Sequence, residues 1–248
     1  RLIWKKKFKY WKRPIHLISP SNWLSNCASS SKLMSKWPIS VIHNPIDTKI
    51  WRPISKKISR ELLNLPCEAN LLLFGAVGGT LDFRKGFDLL EKTLKLTPKD
   101  NNIELVVFGQ SKPKNPPIFP YPVHYLGHVN DDLTLRAVYS AADLFILPSR
   151  QDNLPNTGLE SLSCGTPVLA FNTGGLSDIV EHKYNGYLAD PFDVYDFSKG
   201  VEWLLSQTSP QRKNVSKNAR NYAVLNFDKR TISSQYIKLY KTLLKEIQ

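Results

Sequence analysis

Six short apolar runs, separated by stretches of helical periodicity, constrain this chain more than any other feature. They are Leu71–Phe74, Ile103–Phe108, Val123–Val129, Leu144–Leu147, Pro167–Phe171 and Gly186–Ala189. Between them, Phe87, Leu90 and Leu94 take helical spacing, Leu135–Ala142 reads as helix, Leu159–Cys164 forms part of another, and Ile179–Val180 begins a short one. Strands that are continuously apolar, rather than alternating, are buried on both faces. Strands that alternate with helices build a parallel sheet with helices on each side. The predicted fold class is therefore α/β. In such sheets ligands bind beyond the carboxyl ends of the strands, so the loops leaving those ends are where a site is expected.

The first fifty residues follow a different pattern. His16–Ser21 predicts a short strand, Asn22 opens a helix to about Lys36, and Val41–Asp47 predicts a strand that breaks at Pro45. A polar, proline-containing stretch from Trp51 to Lys57 places a domain boundary near residues 44–53. From about Asp193 the chain reads as helices, the last carrying Ile237, Tyr240, Leu244 and Ile247 at helical spacing.

Charge follows the same division. The net charge is +13, yet nine lysines and arginines precede the first acidic residue, Asp47, leaving +4 for the rest. Within residues 1–13, Trp4, Phe8 and Trp11 fall at i, i+4, i+7 among lysines. Contact with a membrane surface rich in anionic lipid would suit this segment. A solvated helix whose aromatic stripe packs on a neighbouring domain suits it too, and is preferred because the stripe is only about two turns long. Nucleic acid is not expected as a partner, because the remaining sequence offers no basic groove.

No apolar run approaches bilayer length. The chain starts at Arg1 with no apolar leader, and reads as a domain or fragment. Cys27, Cys67 and Cys164 are odd in number and form no Cys-x-x-Cys pair, which argues against a disulfide framework or zinc site and fits a reducing compartment.

Three loops could carry chemistry. Phe74 to Gly86 joins a strand to a helix through Gly78 and Gly79, with Arg84 and Lys85 at the helix start. Glycines allow close backbone approach, a helix N-terminus favours an anion, and the two cations would face a diphosphate. A flexible loop with solvated cations explains the same residues equally well. Leu147 to Val168 places Asp152 in a post-strand loop and Glu160 eight residues on, in the following helix. Pro155 suits that helix's first turn, aiming the amides of Asn156 and Thr157 at the loop mouth. Glu160 could accept hydrogen bonds from a ribose diol and Asp152 from a sugar hydroxyl; a turn aspartate and a solvated helical glutamate are the plain alternatives. Asn172-Thr-Gly-Gly175 is either a backbone contact for a ligand or a tight turn.

Taken in order, these segments resemble the retaining, GT-B fold, family 4 glycosyltransferases. The run Pro148-Ser149 to Val168 is similar to that family's pattern of Pro-Ser, then two acids separated by seven residues, then small residues and Gly-x-Pro-Val. Asp152 stands where the family has Glu, Ser161 and Ser163 hold the small positions, and Gly165-Thr-Pro-Val168 match. Lys85-Gly86-Phe87-Asp88, Tyr125-Leu-Gly-His-Val129, Tyr139-Ser-Ala-Ala-Asp143 and Ile42-His-Asn-Pro-Ile-Asp47 resemble further elements. Thr80 occupies the place of a usual arginine. The resemblance implies a Rossmann-like donor domain over residues 48–230. Residues 1–47 would be a remnant of the N-terminal, acceptor-side domain with its linker, and the helix 231–248 would pack toward that domain.

It further implies transfer of a sugar from a nucleotide-diphosphate sugar to a saccharide or lipid-linked acceptor, with retention. No cofactor or metal is implied. Lys85 would neutralise the diphosphate, Glu160 hold the ribose, and Asp152 the donor sugar. The backbone at Gly109 and at Gly127, His128 and Val129 would hold the base. The chain by itself is expected to be inactive without the rest of the N-terminal domain. Polysaccharide assembly for the cell envelope, in the cytoplasm or on the inner face of its membrane, fits the family. A non-catalytic nucleotide-binding module, a sugar-nucleotide epimerase and a basic nucleic-acid binder are the rival readings, the last requiring steeply salt-dependent binding by residues 48–248.

Overall fold

The computed structural model describes residues 2–75, 82–98 and 102–247. Gly78, Gly79 and Thr80 therefore lie outside the described residues. Six parallel strands form the main sheet: β3 (Asn70–Gly75), β4 (Ile103–Phe108), β5 (Val123–Tyr125), β6 (Leu144–Leu147), β7 (Val168–Phe171) and β8 (Gly186–Ala189). Their spatial order is β5-β4-β3-β6-β7-β8. The chain starts in the middle, winds outward to β5, then returns across to β6 and winds the other way. This is the doubly wound order, and its reversal point lies between β3 and β6.

Alternate residues of the inner strands feed opposite layers, which is why those runs are almost continuously apolar. Leu71, Leu73, Val106, Phe108, Phe145 and Leu147 join one core cluster, together with Tyr139, Leu159 and Ala223. Leu72, Phe74, Leu105, Val107, Leu144 and Ile146 join the other, with Leu90 and Phe197. The first layer holds α5 (Asp132–Ala141), α6 (Asn156–Ser163) and α8 (Ser209–Phe227); the second holds α4 (Phe87–Leu96) and α7 (Val194–Leu205). Asp131 caps α5, accepting from the Thr134 N–H at 2.7 Å, as a helix-opening aspartate should. At the amino ends of the strands, the carboxylate of Asp143 accepts from the Leu71 N–H at 2.7 Å, from Arg60 at 2.8 Å and from Lys56 at 2.7 Å.

Ahead of the main sheet, α1 (Leu2–Tyr10) leads to a separate two-stranded parallel sheet of β1 (Leu17–Ser19) and β2 (Ile39–Val41), joined by α2 (Asn22–Ser29). The linker then runs to α3 (Lys56–Leu62) and touches the far end of the chain on its way. Ile46 exchanges backbone hydrogen bonds with Phe227 at 2.8 Å and Lys229 at 3.0 Å, and the Thr48 hydroxyl donates to Asp228. Burial alone would raise the Asp228 carboxyl. The Thr48 hydroxyl and the Arg230 side chain and N–H instead hold it at about 2. Arg220 adds bonds to the carbonyls of Thr48, Trp51 and Ser163. From this joint the last helix, α9 (Lys229–Ile247), leaves with Ile237, Tyr240 and Leu244 exposed.

Several boundaries differ from expectation. The first predicted helix stops at Ser29 rather than near Lys36, and turns carry the chain from there to β2. The strand expected over Val41–Asp47 is instead Ile39–Val41, because its pairing partner is as short as itself. The third main-sheet run ends at Tyr125, not Val129, since the Gly127 carbonyl turns back to accept from the Gly109 N–H at 2.8 Å. In place of a helix at Ile179–Val180 there is a 3-10 turn at Leu176–Asp178, with Ile179 and Val180 buried in the core. Cys27 and Cys67 are exposed, while Cys164 is buried, which pushes its thiol up to about 12.

Candidate functional site

The crevice at the reversal point is built from the ends of β3, β4 and β6 and the start of α6. Phe74, Gly75, Lys85, Phe108, Leu147, Pro148, Ser149 and Thr157 line it. Lys85 ends a 3-10 turn, Phe83–Lys85, and reaches across to Asp152, with Nζ 2.8 Å from Oδ2. That ion pair stays in contact with water: the lysine side chain is 36% exposed and the aspartate 19%.

Why these two loops meet is a matter of backbone. Gly86 adopts φ +67°, and a Cβ there would lie 1.8 Å from the Pro148 carbonyl oxygen. The main chain of one loop is thus pressed on the main chain of the other, which only glycine permits. Arg150 fastens the contact. Its N–H donates to the Arg84 carbonyl at 2.8 Å, and its guanidinium donates to the Asp88 carboxylate at 2.7 and 2.6 Å while lying 3.9 Å over the Phe83 ring. A forked arginine–carboxylate pair fixes orientation as well as distance.

The Asp152 loop is supported from its other side by Thr173–Gly175. The Gly175 N–H donates to the Asp152 carbonyl at 3.0 Å and the Thr173 hydroxyl to the Ser149 carbonyl at 3.1 Å. A Cβ on Gly174 or Gly175 would fall 2.1 Å or 1.7 Å from the carbonyl oxygens of Asp152 and Asn153. Of the two readings of this double glycine, its contacts on this side are those of a support for the site loop. The N-terminal segment also arrives here. Ser21 donates to Asn153 Oδ1 at 2.5 Å, and the Asn22 N–H to Asp178 at 2.7 Å.

Glu160 stands apart from Lys85. Together with Asn156 it lines a second recess, closed by the linker residues Pro45, Ile46, Asp47 and Trp51. Helix α6 divides the two recesses, with Thr157 on one side and Asn156 and Glu160 on the other. Burial pushes the Glu160 carboxyl above its ordinary value; the Tyr139 hydroxyl, donating at 2.8 Å, opposes this, and Asp132 adds to it. Tyr139 is itself fully buried, edge-on to Phe108, Phe145 and Trp51.

An acid whose folded value is raised contributes full stability below the unfolded value, and loses it as pH rises through the folded one. At pH 7 the ionised Glu160 therefore supports the fold less than its protonated form would. Glu160→Gln is expected to raise the melting temperature by about 1–3 °C at pH 7, the difference closing as pH falls toward the ordinary glutamate range. Melting curves of both proteins across pH would check it, and a Glu160→Gln protein that melts lower at pH 7 would reverse the assignment.

The remaining sequence-predicted residues spread around this rim. Arg84 points to solvent and pairs with Asp82 at 2.8 Å rather than facing the crevice. Gly109 and Gly127 close a turn on one another beyond β4, His128 is exposed, and Val129 packs on the core. Sequence reasoning gave no site role to Tyr139, Asp88, Arg150 or Asn153. Arg150 and Asp88 are 62 positions apart, so no local pattern could couple them.

Comparison with known proteins agrees with this architecture. Residues 64–222 match the family model described as glycosyl transferases group 1. The chain is 26% identical over 210 residues to an uncharacterized glycosyltransferase of Methanocaldococcus jannaschii, covering 82% of this chain and 53% of that protein. It is 31% identical over 125 residues to N,N'-diacetylbacillosaminyl-diphospho-undecaprenol alpha-1,3-N-acetylgalactosaminyltransferase of Campylobacter jejuni, covering 50% of this chain and 32% of the relative. The chain thus spans about half the length of the first of these relatives and less of the second. Among solved structures, sucrose-phosphate synthase from Thermosynechococcus elongatus superposes with a TM-score of 0.77 at 23% identity, over 93% of this chain and 59% of that one. HepE of Anabaena, solved with UDP-glucose, superposes with a TM-score of 0.71 at 19% identity, over 91% and 63%. These likenesses give the fold, and the family follows from the model that runs through β3 to α8: the chain belongs to the glycosyl transferases group 1.

Proposed function

We propose that this chain is the donor-binding half of a retaining, family 4 glycosyltransferase, which moves a sugar from a nucleotide-diphosphate sugar to a saccharide or lipid-linked acceptor. The observation that carries the reading is the Lys85–Asp152 pair at the reversal point of the sheet, clamped there by Gly86 and Arg150. A lysine in that crevice offers a compact positive charge to a diphosphate, and Asp152 offers acceptors to sugar hydroxyls. As the bond from sugar to diphosphate breaks, negative charge grows on the leaving oxygen. A fixed cation stabilises that state more than the bound donor.

Glu160, across α6, would accept from the ribose diol, with Tyr139 holding one of its oxygens in place. The amides of Asn156 and Thr157 at the start of α6 favour an anion. The turn of Gly109 and Gly127–Val129 is assigned to the base; Arg84, paired to Asp82, is assigned a supporting role. Residues 48–230 form the donor domain in this reading. Residues 1–47 and the helix 231–248 belong with the acceptor-side domain, and the shared joint at Ile46 and Asp228 is consistent with that grouping. A lipid-linked acceptor is favoured by the Campylobacter jejuni relative, whose name specifies one. Polysaccharide assembly for the cell envelope, on the cytoplasmic side, is the corresponding setting.

Calorimetric titration with UDP, GDP and ADP and their common sugar conjugates tests the reading. Saturable binding of one nucleotide series supports it and names the base. If neither this chain nor the full-length enzyme binds any of them, the donor-site assignment fails.

A further inference from the structure

We infer that the N-terminal helix and the cleft behind it form a docking surface for an anionic lipid bilayer. No residue of α1 is buried. Trp4 is 47% exposed, Phe8 54% and Trp11 42%, and the first two rings stack on each other at 5.2 Å. Lys5 and Lys9 occupy the neighbouring row of the same helix at the same spacing, so an apolar row and a basic row lie side by side. Beyond the helix, Trp11 meets Trp37 at 6.0 Å, and the two line a cleft with Tyr10, Lys12, Arg13 and Ile15.

The chemistry of this surface selects its partner. The cores of protein–protein interfaces are depleted in lysine, whereas exposed lysines alternate here with aromatic rings. A membrane interface takes both: indole and phenol rings sit at headgroup depth, and lysine stems reach outward to the phosphates. Complementarity is one-sided, since no Asp or Glu precedes Asp47 to repel an anionic surface. A nucleic-acid strand also takes cations and aromatic rings, but it is held in a groove that tracks its backbone, and a single short helix provides one row of contacts. The surface shares no residue with the Lys85 crevice, so it stands or falls independently of the donor reading.

The test is vesicle flotation of the full chain. Vesicles of phosphatidylcholine alone are compared with vesicles containing about 30% phosphatidylglycerol, at about 0.1 M and about 1 M salt. Binding at low salt is expected to be at least about tenfold tighter to the anionic vesicles, and to weaken at high salt. The triple change Lys5→Glu, Lys6→Glu, Lys9→Glu is expected to reduce it about a hundredfold, at roughly fivefold per lysine. The triple change Trp4→Ala, Phe8→Ala, Trp11→Ala is expected to reduce it at least about tenfold. All three proteins are expected to melt alike, since the changed side chains lie outside both core clusters. The inference is overturned if the wild type binds neither vesicle, binds both equally, or keeps its affinity in either triple variant. Tighter binding to an RNA oligonucleotide than to the vesicles at the same salt would overturn it too.

Discussion

Lys85→Ala is expected to weaken binding of the nucleoside diphosphate and its sugar conjugate by about 10- to 150-fold, the loss of one hydrogen-bonded charge worth roughly 1.5–3 kcal/mol. The crevice wall around Lys85 is otherwise largely apolar: Phe74, Phe108, Leu147 and Pro148 surround it. Among the described residues, Lys85 is the one cation lining this crevice, since Arg84 and Arg150 are paired to Asp82 and Asp88. Lys85→Arg is not expected to restore affinity, because a planar fork does not replace a compact ammonium group on a fixed stem.

The paired aspartate makes the prediction sharper. A diphosphate and the Asp152 carboxylate compete for the same Nζ, now 2.8 Å from Oδ2. Asp152→Ala is therefore expected to tighten binding of the bare nucleoside diphosphate by a few-fold, up to about tenfold, through removal of a competing anion. The same change is expected to weaken the sugar-bearing donor, which loses an acceptor. Titrations of both variants with both ligands give the answer. Lys85→Ala with unchanged affinity and an unchanged melting curve would remove the central element of the site.

Gly86→Ala is expected to cost about 2–4 kcal/mol of stability. Left-handed backbone alone costs a non-glycine residue roughly 1–2 kcal/mol. The added Cβ would also fall 1.8 Å from the Pro148 oxygen, which is backbone and can move only by separating the two loops. Gly127 supplies the control. It has nearly the same φ, +70°, but the nearest atom to its Cβ would be the Ser111 hydroxyl at 3.9 Å. Gly127→Ala should therefore show the strain without the collision, roughly 1–2 kcal/mol. Equal costs in denaturant melts would mean that the loop contact at Gly86 relaxes freely. A loss of donor binding in Gly86→Ala beyond the loss of stability would show that Lys85 needs the clamp to keep its position.

The sequence by itself marked the six strands of the main sheet and the burial of the inner ones. Continuous apolar runs are a local record of two-sided packing, and the inner strands β3, β4, β6 and β7 carry that record in their own residues, whereas β5 at the sheet edge is only half-buried. It also marked the loops proposed for the site: Asp152 and Glu160 stand eight residues apart in one strand–loop–helix segment, and Lys85 in the separate segment that follows β3. Tertiary structure alone decided what those loops do to one another. The Arg150–Asp88 fork, the Gly86 contact with Pro148 and the Gly175 contact with Asn153 join positions far apart in sequence, where neither partner carries a periodic or compositional trace of the other. The same holds for the division of Lys85 and Glu160 between two recesses, since the wall between them is a helix whose orientation is set by packing. The third strand ends early for a related reason: hydropathy continues through Leu126 and Val129, but at Gly127 the pairing turns to an isolated antiparallel bridge with Gln110, the Gly127 carbonyl accepting from the Gly109 N–H. Hydrophobic pattern specifies which residues leave water; which backbone groups then meet is settled only when the layers close.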